Sequence, residues 1–331
     1  MKRIILLTTC ILMISASKAI AQDDDNDGII NTVEISIGTD PYDSDTDNDG
    51  LLDGTEDVNQ DGFLSASESD PRDADTDDDG INDGEEVAFS LNKRNPDTDG
   101  DGLTDGLEIG RTTGIPGGTS GGTGVAYLGT SATWSGDADA ATKTDPLDAD
   151  TDNDGISDGG EDKDRDGVKD AAETNPLDAD SDDDGLKDGD EDHDDDGILD
   201  ATETNPMNAD TDGDGLKDGI EKGVAAAVPG GTSEGSYTVN RVAYLGTAAG
   251  WSADADPSSV TDPRDSDTDN DGLADGAEDT DRDGLLDGTE SDPRDADTDD
   301  DGINDGEEVA FSLNKRNPDT DGDGLTDGLE I

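Results

Sequence analysis

Acidic side chains recur along this sequence at one fixed spacing that could hold a metal ion. The pattern is D-x-[DN]-x-[DN]-G-x5-E, and it occurs fourteen times without overlap. In a loop of this kind, positions 1, 3, 5, 9 and 12 offer side-chain oxygens, position 7 offers its backbone carbonyl, and glycine at position 6 permits the sharp turn. Such a set of hard oxygens in a flexible loop suits Ca²⁺ better than Mg²⁺, which demands a near-ideal octahedron.

The predicted calcium ligands are the residues at positions 1, 3, 5, 7, 9 and 12 of the fourteen loops. In the five loops before residue 109 they are Asp23, Asp25, Asp27, Ile29, Asn31, Glu34, Asp45, Asp47, Asp49, Leu51, Asp53, Glu56, Asp57, Asn59, Asp61, Phe63, Ser65, Glu68, Asp75, Asp77, Asp79, Ile81, Asp83, Glu86, Asp97, Asp99, Asp101, Leu103, Asp105 and Glu108. In the five loops between residues 150 and 221 they are Asp150, Asp152, Asp154, Ile156, Asp158, Glu161, Asp162, Asp164, Asp166, Val168, Asp170, Glu173, Asp180, Asp182, Asp184, Leu186, Asp188, Glu191, Asp192, Asp194, Asp196, Ile198, Asp200, Glu203, Asp210, Asp212, Asp214, Leu216, Asp218 and Glu221. In the four loops after residue 266 they are Asp267, Asp269, Asp271, Leu273, Asp275, Glu278, Asp279, Asp281, Asp283, Leu285, Asp287, Glu290, Asp297, Asp299, Asp301, Ile303, Asp305, Glu308, Asp319, Asp321, Asp323, Leu325, Asp327 and Glu330.

Chance could place this pattern once in an aspartate-rich chain, but it does not explain the whole set. All fourteen loops have glycine at position 6 and an apolar residue at position 7, and 67 of the 91 acidic residues fall on the side-chain ligand positions. Two like charges about 5 Å apart repel by roughly 0.8 kcal/mol even in bulk water, so the loops need a cation among their carboxylates. We predict up to about one Ca²⁺ per loop, with the apolar residue at position 7 packed inward as a minimal core.

The composition excludes several classes of protein and partner. The chain has 91 acidic and 20 basic residues, a formal net charge of −71, and only 3% aromatic residues. Such a chain cannot bury enough apolar surface to offset the entropy that it loses on folding, so it is not expected to fold as an ordinary globular domain. Its charge argues against nucleic acid or anionic membranes as partners. The single histidine, His193, is at loop position 2 and is predicted to face solvent, so soft ligands for zinc or copper are lacking.

The first 21 residues have the features of a secretory signal peptide. A positive start at Lys2 and Arg3 precedes an apolar run, and an A-x-A cleavage site ends at Ala21. The run is too short to span a bilayer, and no later segment is long and apolar enough to do so. We therefore expect a secreted, extracellular or cell-surface protein, whose mature chain lacks the single cysteine, Cys10.

Repeats on two scales divide the chain into arrays and inserts. Four pairs of loops abut with no residue between them, and several others are joined by six-residue turns containing proline, such as SDPRDA. Residues 68–109 are identical to residues 290–331, so the chain ends within a second copy of a 222-residue unit and is expected to be a fragment of a longer protein. The expected domains are the signal peptide (1–21), the loop arrays 22–108, 150–221 and 267–331, and the inserts 109–149 and 222–266.

The loops resemble thrombospondin type 3 repeats, especially the cysteine-free form of bacterial surface and secreted proteins. The resemblance rests on tandem loops such as DTDGDGLTDGLE, which abut or are joined by TDP and TNP turns, and it covers the arrays but not the inserts. It implies a mostly irregular, elongated, calcium-stabilised rod with short helical turns. Because the cysteines of the animal repeats are missing here, stabilisation would rest on metal alone.

The two inserts are the candidate recognition surfaces. The segment YTVNRVAYLGTAAGW (237–251) is rich in β-branched and aromatic residues, so we predict a short strand pair. Tyr127 with Trp134, and Tyr244 with Trp251, could form a sugar-binding platform or a small packing core.

Three functions are compatible with these features. The first is a secreted calcium-binding rod, stalk or fibre segment of the cell surface or matrix, which could self-associate into fibres. The second is a calcium-dependent adhesin whose inserts bind glycan or protein, and the third is an acidic protein that sequesters calcium or templates mineral. The sequence contains no nucleophile, oxyanion or phosphate-loop motif, so we predict no enzyme activity and no cofactor other than Ca²⁺.

Overall fold

A computed structural model describes residues 22–65, 67–195, 199–235 and 241–331. Three predictions lie wholly or partly outside these residues. They are the signal peptide, the ligands Asp196 and Ile198, and the first part of the predicted strand segment, at 237–240.

Short helices and two small strand pairs make up the regular structure of the described residues. The helices are α1 (Asn31–Ile37), α2 (Asp53–Glu56), α3 (Asp83–Phe89), α4 (Asp105–Glu108), α5 (Asp158–Glu161), α6 (Asp188–Glu191), α7 (Asp218–Glu221), α8 (Asp275–Glu278), α9 (Asp305–Phe311) and α10 (Asp327–Glu330). The strands are β1 (Gly118–Thr119), β2 (Ala126–Tyr127), β3 (Gly231–Thr232) and β4 (Ala243–Tyr244). The rest of the described chain is turn, bend or irregular, so the prediction of a mostly irregular tandem repeat with short helical turns is confirmed.

The chain divides into two compact units. The first consists of the described residues within Met1–Ala149, Asp164–Val168 and Glu234–Arg241, and the second of those within Asp150–Lys163, Lys169–Ser233 and Val242–Ile331. The first unit contains α1 to α4 with β1 and β2, and the second contains the remaining elements. Each unit therefore combines a series of loops with one strand pair from an insert.

Every helix in the described chain begins at loop position 9 and includes the glutamate of position 12. In loop 45–56, hydrogen bonds within the loop hold the first residue of the helix, Asp53. Its carboxylate accepts from the backbone N–H and the hydroxyl of Thr46, at 2.8 and 2.7 Å. Helix α1 ends at Gly38, whose φ of 94° lies in the left-handed region that favours glycine. Helices this short are not stable alone, so the loops must hold them in place.

The loops fall into two classes. Ten of them carry one of the helices and are called helical loops. The other four directly follow a helical loop, have no helix among their described residues, and are called abutting loops: 57–68, 162–173, 192–203 and 279–290.

The apolar residue at position 7 forms the core in some loops but not in all. Ile29 and Ile81 are fully buried, as predicted. Phe63 and Leu325 are 77% and 51% exposed, so the prediction of inward packing is wrong for their loops. Phe63 belongs to an abutting loop, which has no helix among its described residues to pack against it.

Each insert forms one antiparallel strand pair. In the first unit β1 pairs with β2, with Gly118 opposite Tyr127. In the second unit β3 pairs with β4, with Gly231 opposite Tyr244. The predicted β character of the inserts is confirmed, although each strand is only two residues long. Segment 237–251 is predicted to supply a strand pair, but β4 pairs with β3, which lies before that segment. Strand β3 is a glycine–threonine pair without the run of β-branched and aromatic residues on which the prediction is based.

Candidate metal centre

Within a loop, backbone hydrogen bonds gather the first three acidic side chains around one point. In loop 45–56 the N–H of Gly50 donates to the Asp45 carboxylate at 3.1 Å, and the N–H of Leu51 donates to the Asp49 carboxylate at 2.6 Å. Carboxylate oxygens of positions 1, 3 and 5 then lie within 4.8 Å of one another. Loops 23–34, 45–56 and 75–86 form such a cluster. The residues are Asp23, Asp25 and Asp27 in the first, Asp45, Asp47 and Asp49 in the second, and Asp75, Asp77 and Asp79 in the third.

A second kind of cluster joins a helical loop to the next one. Asp27 and Glu34, at positions 5 and 12 of one loop, have oxygens within 4.8 Å of Asp53, which is position 9 of the following loop. The sequence analysis placed six ligands in one loop, whereas the structure brings oxygens of two loops together. The same arrangement recurs further along the first unit, formed by Asp49, Glu56 and Asp83.

Glycine at position 10 of a helical loop permits this contact, and the sequence analysis did not single it out. A Cβ atom added at Gly54 would lie only 2.4 Å from the backbone oxygen of Asp27 in the preceding loop. In the second unit, the N–H of Gly306 donates to the Asp271 carboxylate of the preceding helical loop at 2.8 Å. Because only glycine permits such a close backbone approach, glycine at position 10 allows a helical loop to stack on an earlier one. Gly288 has the same position in an abutting loop, but an added Cβ atom there would meet nothing within 4 Å, so the glycine alone does not establish the contact.

The position-12 glutamates of several helical loops are buried without hydrogen-bond donors. Glu34 and Glu86 are 0% exposed and Glu161 is 1% exposed. Within the described chain, neither carboxylate oxygen of any of the three has a hydrogen-bond partner. Burying an unpaired carboxylate is strongly unfavourable, so these residues fit a bound cation that would compensate the charge. A donor set made only of hard oxygens is the chemistry that Ca²⁺ prefers.

The same environment shifts the pKa values of these glutamates upward. Burial, and then the nearby charge of Asp25, raises the pKa of Glu34 to about 8. Burial, and then the charge of Asp77, raises the pKa of Glu86 to about 11. Carboxyl groups of this kind hold a proton at neutral pH unless a cation stabilises the charged form, so metal binding and proton binding compete.

The abutting loops use their glutamate differently. Glu68 is 2% exposed, but its two carboxylate oxygens accept hydrogen bonds from the backbone N–H groups of Asn59 and Ser65, both at 3.1 Å. Glu290 likewise accepts from the backbone of its own loop, at 2.9 and 3.0 Å. Hydrogen bonds, first that from the Ser65 side chain, lower the pKa of Glu68. The glutamate of an abutting loop is therefore satisfied by the chain itself and has less need of a cation.

Comparison with protein families identifies the repeats. Seven segments match the family model of the bacterial TSP3 repeat, at residues 23–44, 75–88, 97–109, 210–222, 267–278, 297–310 and 319–331. The chain carries bacterial TSP3 repeats. The resemblance to thrombospondin type 3 repeats is thereby confirmed for these segments. Comparison with curated proteins and with solved structures gave no match.

The TSP3 segments coincide with helical loops. Each of the seven begins at position 1 of a helical loop, and none of the four abutting loops lies within a matched segment. TSP3 repeats are calcium-binding structural repeats of extracellular proteins, and the close acidic clusters of this chain agree with that general property. No helix in the described part of the chain is long and apolar enough to cross a membrane.

Proposed function

We propose that this protein is a secreted, calcium-binding structural segment that serves as a rod, stalk or fibre segment at the cell surface or in the extracellular matrix. The observation that carries the proposal is the series of buried glutamates without donors in loops that match TSP3 repeats. A chain that buries unpaired carboxylates needs a cation to fold, and a repeated need of this kind favours a structural role for the metal. We propose no enzyme activity for this segment.

The proposed role of the loop residues follows from their placement. The carboxylates of positions 1, 3, 5 and 12 would hold Ca²⁺, which supplies the positive charge that the loop lacks. Asp53 would contribute to the site of the preceding loop while its own loop holds it through Thr46. Ordering one helical loop therefore helps to order its neighbour, and stability accumulates along the series, as in other repeat proteins.

Calcium titration of the full chain after removal of metal tests this proposal. We expect heat of binding in calorimetry together with a gain of ordered structure in circular dichroism, because binding and folding are one event in such loops. Magnesium serves as the control and should produce a weaker effect at the same concentration. A chain that binds no calcium, or that is equally ordered without it, contradicts the proposal.

The adhesin alternative is less well supported, because the insert tryptophans are engaged in packing. The ring of Trp134 lies against Gly80, and the indole N–H of Trp251 donates to the backbone oxygen of Asp184 at 2.6 Å. These contacts favour a packing role for the aromatic residues over a sugar-binding platform. The mineral-template alternative needs carboxylates that remain free, whereas many position-12 and position-5 carboxylates are buried.

A further inference from the structure

The insert of the first unit contacts, among other loops, the helical loop of residues 75–86 at its position-1 ligand. The hydroxyl of Thr130 donates a hydrogen bond to the carboxylate of Asp75, which is the position-1 ligand of that loop. The backbone N–H of Ser131 donates to the carboxylate of Asp78, at position 4. The insert therefore binds directly to a predicted metal ligand from outside the loop.

The insert of the second unit repeats these contacts on loop 180–191. The hydroxyl of Thr247 donates to the carboxylate of Asp180, again at position 1. The backbone N–H of Ala248 donates to the carboxylate of Asp183, again at position 4. The same pair of contacts in two separate units indicates a built arrangement.

A tryptophan covers the turn of each of these two loops. An added Cβ atom at Gly80 would lie 2.4 Å from the ring of Trp134, and one at Gly185 would lie 2.7 Å from the ring of Trp251. Both glycines are at position 6. The inserts thus enclose the side of the loop that carries positions 1, 4 and 6.

The chain contains an internal comparison, because loop 297–308 has the same sequence as loop 75–86. Among the described residues, the carboxylate of its position-1 residue, Asp297, accepts only two backbone N–H groups of its own loop, at 3.0 and 2.8 Å. At Gly302 an added Cβ atom would meet nothing within 4 Å. Asp75 is fully buried, whereas Asp297 is half-buried. The extra hydrogen bond and the cover at loop 75–86 therefore come from the insert and not from the loop sequence.

We propose that Thr130 and Thr247 are positioning residues for Ca²⁺, and that each insert is a clamp that docks on its filled loop and slows release of the ion. The inference rests on the calcium binding proposed above. A hydrogen bond from outside fixes the orientation of a ligating carboxylate and so tightens metal binding. By thermodynamic linkage, calcium in the loop must in turn hold the insert in its docked position.

Terbium(III) luminescence can read the clamped loops selectively in the full chain. Terbium occupies calcium sites, and a nearby tryptophan excites it. The chain has two tryptophans, and each lies on one clamped loop. In a Trp251→Phe background, excitation at a wavelength that tryptophan absorbs and tyrosine does not gives sensitised emission from Trp134, which reports loop 75–86. Mixing the loaded protein with excess chelator then measures the release rate from that loop.

The decisive variant is Thr130→Val, which removes the hydroxyl and keeps the shape. We expect release roughly tenfold faster, the usual effect of losing a residue that orients a metal ligand. Thr133→Val is the matched control, because Thr133 is exposed and its hydroxyl pairs only locally with Ser131, at 2.9 Å. Thr130→Ser retains a hydroxyl and should restore slow release. Thr247→Val in a Trp134→Phe background should reproduce the result for loop 180–191.

The outcomes separate this inference from the proposed function. If Thr130→Val releases terbium no faster than Thr133→Val, or if Thr130→Ser behaves like Thr130→Val, the clamp is overturned while calcium binding stands. Calcium binding in calorimetry without tryptophan-sensitised emission also overturns the clamp, since the rings would then lie far from the ion. Absence of any calcium or terbium binding would contradict the proposed function itself.

Discussion

The glutamate at position 12 has fewer hydrogen-bond donors in the buried helical loops than in the abutting loops. Glu56, for example, accepts from the Ser69 hydroxyl through one oxygen, while its other oxygen has no donor within the described chain. In a helical loop such as 23–34, both oxygens of the buried Glu34 lack a donor within the described chain. In an abutting loop such as 57–68, both oxygens of Glu68 accept backbone N–H groups. A cation therefore adds more to the stability of a helical loop than to that of an abutting loop, although both share the ligand spacing.

Two substitutions that replace a glutamate by the uncharged glutamine, in neighbouring loops, test this difference. Glu56→Gln should weaken calcium binding by about tenfold or more, because affinity depends on the number of charged ligands and Glu56 is fully buried in a carboxylate cluster. Glu68→Gln should have a clearly smaller effect. Calorimetric calcium titration of the two full-length variants measures both. Equal losses of affinity would contradict the distinction between the two classes.

The pKa shifts predict that the stability of the fold depends on pH in opposite directions with and without calcium. In the folded loops, burial raises the pKa of Glu34 from 4.5 to about 8 and that of Glu221 to about 9. The metal-free fold thus binds more protons than the unfolded chain, and its stability should fall as the pH rises from about 4.5 through 8. Bound calcium holds the same groups ionised, so the stability of the loaded fold should be lost as the pH falls through about 4.5.

Urea unfolding of dialysed, metal-free protein and of calcium-loaded protein, followed by circular dichroism at about pH 4 and pH 8, checks this prediction. We expect the metal-free chain to be more ordered at the lower pH and the loaded chain to be more stable at the higher pH. A change in the same direction in both states would contradict the assignment of these carboxylates to the metal sites.

At the scale of the element, the contact between successive helical loops depends on glycine at position 10. A Cβ atom at Gly84 would lie 2.4 Å from the backbone oxygen of Asp49 in the preceding helical loop. Replacing glycine by alanine inside a helix normally stabilises it by about 1 kcal/mol. At this position the clash with the backbone oxygen should make the same substitution destabilising.

We therefore expect Gly84→Ala to lower the stability of the calcium-loaded protein. Ala88→Gly, at an exposed position of the same helix, calibrates the ordinary propensity effect and should cost about 1 kcal/mol. Thermal unfolding in excess calcium compares the two variants with the parent chain. Stabilisation by Gly84→Ala would show that the loops do not stack as described.

The sequence predicted the local features of the loops well, because these depend on residues within a dozen positions. The short turns of helix, the β character of the inserts and the outward-facing His193 all followed from local patterns. The contact of Asp53 with the preceding loop and that of Thr130 with Asp75 did not, because both join distant parts of the chain. Glycine at position 10 is the sequence feature that accompanies the first of these contacts, but glycine is so common in this chain that the position did not stand out. The hydroxyl of Thr130 carries no comparable signal in a single sequence.

At the scale of the whole molecule, each of the two units relies on many similar loop contacts. With a net charge of −71, the chain cannot condense without counter-charge. A site with a dissociation constant of about 10⁻⁴ M contributes on the order of 5 kcal/mol, which exceeds the several kcal/mol of repulsion within one loop. Folding of the whole molecule, and not only of single loops, should therefore depend on calcium.

Small-angle X-ray scattering of residues 22–331 in millimolar calcium, before and after addition of chelator, tests this central claim most directly. An unfolded chain of this length has a radius of gyration of roughly 60 Å. We predict the profile of a folded particle with a clearly smaller radius in calcium, and conversion to the profile of a disordered chain, with a radius near that value, when the metal is removed. A folded profile that is unchanged by chelator would contradict the account.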